Sequence, residues 1–127
     1  MKSTLQPRPA SLVAAAVALT LSGVATAQAV DAAAGQGNAS GTTAATPLIT
    51  TTNANDLLLG AINFPRAVTA TLATSGFSAL NNFNASTVSG RAAYDIVSAT
   101  GGYSVTWNLS GASTSGGAIL ALKAAAP

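Results

Sequence analysis

Asn53, Asn55 and Asp56 bring three oxygen-bearing side chains into one short stretch, NAND. A hard cation such as calcium takes oxygen ligands of this kind together with backbone carbonyls. The DxDxDG spacing of a dedicated calcium loop is absent, and the ordinary role of such residues is to cap a loop. Asp56 stands at the head of an apolar run, where a carboxylate accepts backbone N–H groups in a turn. As an acid for glycoside hydrolysis it would need a second carboxylate held opposite it. The spacing places none there, because Asp95 is far along the chain and Asp31 lies in a stretch with no apolar pattern.

The residues that are missing exclude more. The chain has no His and no Cys. Ser/His/Asp and Cys/His triads, imidazole- and thiolate-ligated metal sites, and disulfides therefore all drop out. The acidic residues are all Asp. Serines are plentiful, but a serine nucleophile needs a base, and Lys123 lies near the C-terminus outside any SxxK motif. The glycines at 35, 37 and 41 miss the GxGxxG spacing. No catalytic residue and no cofactor are expected, and the chain reads as a non-enzyme.

The formal charge is +2, yet Lys2 and Arg8 belong to an N-terminal leader. Beyond it Arg66, Arg91 and Lys123 balance Asp31, Asp56 and Asp95. Three scattered cations do not make the clustered footprint that nucleic acid requires. Arg91, close in sequence to Tyr94 and Asp95, reads as half of a surface ion pair.

The leader has the three parts of an export signal: the positive Lys2 and Arg8, the apolar run Leu12 to Leu21, and small residues at Ala25, Ala27 and Ala29. The run is too short to span a bilayer, which takes about 20 apolar residues. Residues 1–27 are read as a signal-peptide helix cleaved after Ala27 or Ala29, with membrane contact only during export and a secreted, periplasmic or cell-surface destination. Residues 28–47, almost free of large apolar side chains, read as a flexible linker. Residues 48–127 read as one β-domain.

Within that domain Tyr103, Val105, Trp107 and Leu109 alternate with Ser104, Thr106, Asn108 and Ser110, the period of a half-buried strand. Trp107 and Tyr103 would then face the core, while the hydroxyl and amide face could bind glycans or a cell surface. AVTATL (67–72) alternates in the same way. DLLLGAI (56–62) and AILAL (118–122) are continuously apolar and read as central strands buried on both faces. Strands are expected near 48–51, 56–62, 67–72, 92–98, 103–109 and 117–123. A hairpin is expected at Ala99-Thr100-Gly101-Gly102. The fold class that follows is all-β, a small antiparallel β-sandwich or partial jelly roll.

The segments TTTNANDLLLGAINF, GFSALNNF and AYDIVSATGGYSVTWNLSGASTSGGAILALKA resemble the C-terminal part of a module of exported bacterial and phage-associated proteins. The resemblance runs from Thr50 to Lys123. It implies a jelly-roll-like sandwich used in recognition or surface structure. In such modules further strands precede the AND segment, where this chain has a leader and a linker. The chain thus reads as about half a sandwich, to be completed by self-association or by a strand-completing protein partner. The expected function is a structural or adhesive surface module. A carbohydrate- or cell-surface-binding module is the alternative, and a secreted hydrolase comes third.

Overall fold

The computed structural model describes residues 23–25 and 27–125. Apart from its last few positions, the expected signal-peptide helix lies outside them. The described residues contain strands and no helix: β1 (Val30–Ala45), β2 (Ile49–Thr50), β3 (Asp56–Pro65), β4 (Ala70–Leu72), β5 (Ser78–Ala79), β6 (Phe83–Asn84), β7 (Val88–Val97), β8 (Gly102–Tyr103) and β9 (Thr106–Lys123). All pairings are antiparallel, so the described residues are all-β, as expected of residues 48–127.

The main sheet runs β1-β9-β3-β7-β5, with β4 also on β9 and β6 also on β7. In β3 the pattern is strictly two-residue: Asp56, Leu58, Gly60, Ile62 and Phe64 are buried, whereas Ala61, Asn63 and Pro65 are exposed and Leu57 and Leu59 half-buried. Val105, Trp107, Leu109, Ile119 and Ala121 close over them in a single core cluster with Ala44, Ile49 and Ala93.

The long ribbon of β1 and β9 supplies both sides of this core. Gly116 to Lys123 of β9 pairs with β3, whereas Thr106, Trp107 and Asn108 pair with Ala45, Ala44 and Thr43 of β1. Between these halves the register shifts twice, around Gly41, and the ribbon bends. The bend brings the Ala45 end back over the inner face: a Cβ on Gly60 would lie 2.7 Å from Val105 Cγ2, and one on Gly117 would meet the Ala45 carbonyl oxygen. Neither position has room for a side chain.

Several expectations change here. Residues 28–47 are not a linker, because β1 occupies sixteen of them. Small residues give no hydrophobic period, but their backbone N–H and C=O groups are satisfied along β9. The segments near 103–109 and 117–123 are not two separate strands, since β9 runs unbroken through the Gly and Ser residues between Leu109 and Ala118. The runs DLLLGAI and AILAL are fully buried along one face, whereas on the other Leu57, Leu59 and Leu120 are half-buried, Ala61 and Ala118 are exposed, and Leu122 alone is buried.

The hairpin at residues 99–102 does not form either. Strands β7 and β9 do not pair, because β3 lies between them. Gly102 and Tyr103 pair instead with Thr50 and Ile49, while the Thr51 N–H donates to the Gly101 carbonyl. Here the chain crosses from one edge of β3 to the other.

Candidate functional site

One end of the main sheet gathers the chemistry-bearing residues of this chain. Lys123, at the end of β9, is the register partner of Asp56, at the start of β3. Beside them the start of β1 carries Asp31, and the loop of residues 51–55 folds over it. The loop is held to β9 by the Ala124 N–H, which donates to the Asn55 carbonyl at 2.9 Å. The Lys123 N–H donates to the Ala29 carbonyl at 2.7 Å.

Asp31 accepts three hydrogen bonds: from Thr52 N–H at 2.7 Å, Thr52 Oγ1 at 2.6 Å and Asn53 N–H at 3.0 Å. The Thr52 hydroxyl, followed by the Asn53 amide, holds its carboxyl far below the usual carboxylate range. Asp56 is in the opposite situation. It is only 1% exposed, its Oδ1 accepts from Asn53 Nδ2 at 2.8 Å, and its Oδ2 is buried without a partner. Burial raises its pKa, and the neighbouring Asp31 carboxylate raises it further against the Asn53 amide and Lys123, which pull it down. Asn53 bridges the two carboxyl groups, its N–H donating to Asp31 Oδ2 and its Nδ2 to Asp56 Oδ1.

Asn53, Asn55 and Asp56 thus meet, joined by Asp31 and Thr52, which the sequence pattern did not single out for this site. Asn55 contributes its backbone carbonyl, and the Asn53 amide turns its NH2 toward both that oxygen (2.8 Å) and Asp56. Calcium takes roughly six to eight oxygens. Here N–H and O–H donors already engage three of the four carboxylate oxygens, and no cluster of three or more His, Cys, Asp or Glu occurs among the described residues. These residues do not fit a calcium ion. The one sequence signal for Asp31 was that it is one of only three acidic residues.

A half-open cleft of about 240 Å³ adjoins Asp56, walled by Val24, Leu57, Ile96, Leu122 and Lys123. Asp95, the third carboxylate, is opposite Leu58 in the register and close to Gly76. It does not pair with Arg91 as expected, since four residues along a strand separate them by about 13 Å. The Arg91 guanidinium instead donates to the Gly90 carbonyl at 2.8 Å and to Asn84 Oδ1 at 3.2 Å, and it lies 5.2 Å from the centre of the Phe64 ring.

The two outer faces contrast. Across β1, β9, β3 and β7 the outward rows read Ala33-Leu120-Leu59-Tyr94 and Gly35-Ala118-Ala61-Ala92, uncharged and almost wholly apolar. Beside them Ile96 is 76% exposed. At the other end of the ribbon, Thr43, Asn108 and Thr71 form an exposed row of hydroxyls and an amide. Trp107 lies beneath, 1% exposed, as expected of a core residue. Comparison of the chain with protein-family models, curated proteins and solved structures finds no match.

Proposed function

We propose that this chain is an exported, non-catalytic β-sandwich of the jelly-roll kind that serves as a structural or adhesive surface module and associates with copies of itself. The uncovered apolar rows around Leu59 and Leu120 carry the reading. An exposed apolar sheet face with no charged residue is what proteins cover by association. A catalytic role for the Asp31 and Asp56 pair is disfavoured by the burial of Asp56, which leaves a substrate no approach to its free oxygen.

Light scattering on the purified protein, from micromolar concentration downward, should find dimers or larger assemblies. Leu59→Lys, which places a charge in the middle of the face, should give monomers without loss of cooperative unfolding. A wild-type chain that stays monomeric throughout that range would refute association. Export is tested separately: protein recovered from outside the cytoplasm should begin at Gln28 or Val30 by intact mass, and recovery of a chain beginning at Met1 would count against it.

Carbohydrate or cell-surface binding is the second reading, favoured by the exposed row of Thr43, Asn108 and Thr71. Retention on polysaccharide or cell-wall material that is lost in Asn108→Ala would support it over a purely structural role.

A further inference from the structure

We propose that Asp31 and Asp56 share a single proton and so form a pH-sensitive latch between the start of edge strand β1 and the ends of β3 and β9. Three of the four carboxylate oxygens of the pair are met by N–H or O–H donors, and the Asp56 Oδ2 is buried with none. Asn53 draws the two carboxyls together, its N–H on Asp31 Oδ2 and its Nδ2 on Asp56 Oδ1, and two ionised carboxylates held on one residue repel. A proton on Asp56 Oδ2, donated to Asp31, supplies the missing partner and removes the repulsion between the two charges.

The surrounding charges assign the proton to Asp56. Asp31 on β1 is half-buried and already stabilised as an anion by Thr52 and Asn53. From β9 only Lys123 faces the pair, at the register position of Asp56. From β7 the facing residue is Val97; Asp95, the next ionisable group on that strand, lies one same-face position further along, opposite Leu58. Residues 51–55, which fold over the pair, have no ionisable side chain; removal of the leader would set an α-ammonium group at Gln28 or Val30, one to three residues from Asp31, where it favours Asp31 as the anion of the pair.

The sign of the pH dependence follows. In the unfolded chain both carboxyls titrate near about 4. Below that pH the unfolded pair binds two protons and the folded pair one, so stability rises with pH. Above it the unfolded pair binds none while the folded pair keeps one, so stability falls until Asp56 ionises. The latch holds best in mild acid and loosens toward neutrality, when repulsion between Asp31 and Asp56 frees the start of β1.

Because the chain has only three aspartates, carboxyl-carbon NMR of aspartate-labelled protein reads each titration directly. One should titrate above the ordinary carboxylate range and one below it. Asp56→Asn should remove the high one, since its amide can donate to Asp31 as the acid does. Thermal unfolding of the wild type should peak in mild acid and fall by about 5 °C or more toward pH 8, and that fall should vanish in the variant. Three ordinary titrations in the wild type would overturn the proposal, even if the variant did not fold. So would a high titration that disappears on adding millimolar calcium, which would make a cation rather than a proton the missing partner.

Discussion

Truncating Trp107 to alanine should destabilise the protein by about 3 to 5 kcal/mol, the range for removing a buried indole from a core that cannot collapse around the void. The side chain is 1% exposed and sits on β9 between Ala44 of β1 and Leu72 of β4. Neither neighbouring strand can move inward without breaking its ladder. Domains of this size are stable by only about 5 to 15 kcal/mol, so the variant should be unfolded or close to it at room temperature. Urea titration followed by circular dichroism measures the loss. The wild-type fluorescence should be blue-shifted and report this site alone, because the chain has a single Trp. A Trp107→Ala protein of unchanged stability that no longer bound a glycan would make the indole an exposed platform, contrary to its place in the core.

Gly117→Ala should cost about 3 kcal/mol or more, at the upper end of what one added methyl does to a packed interior. The new Cβ would meet the Ala45 carbonyl and lie 3.2 Å from the Thr46 Cα. Both are backbone, so no rotamer change can relieve the clash, and the Ala45 end of β1 would have to lift off the sheet. At Gly60 the obstruction is the Val105 side chain rather than backbone, so Gly60→Ala should cost less than Gly117→Ala while still destabilising. Gly37 has nothing within 4 Å of its would-be Cβ, so Gly37→Ala is the control and should change little. Equal midpoints in denaturant for the Gly117 and Gly37 variants would show that the ribbon does not fold back onto the sheet as described.

Alternation of large apolar with polar residues was enough to place the inward face of the Trp107 segment, because burial on one side of a strand leaves a two-residue period in the sequence; the continuous apolar run of β3 marked a strand but not which of its faces turns inward. The absence of His and Cys was equally legible, and it restricts which acids, bases and ligands this chain can offer. Strand β1 was not legible. Ala, Gly, Ser and Thr carry little burial energy of their own, and this segment is a strand because β9 satisfies its backbone groups. The bend in the ribbon, the insertion of β3 between β7 and β9, and the failure of the hairpin at residues 99–102 all depend on pairings between distant segments that local turn residues do not encode.

The candidate site divides along the same line. Asn53, Asn55 and Asp56 are sequence neighbours and were visible as a cluster, but local spacing suggested an oxygen cage for a cation. Asp31, more than twenty residues earlier, reaches Asp56 only because β1 runs along β9. That contact, together with the burial of Asp56 in the sheet, changes the chemistry from open oxygen ligands to a coupled acid and carboxylate. Composition and periodicity record what each residue prefers to face, whereas which charges end up sharing a desolvated space is set by strand order and register.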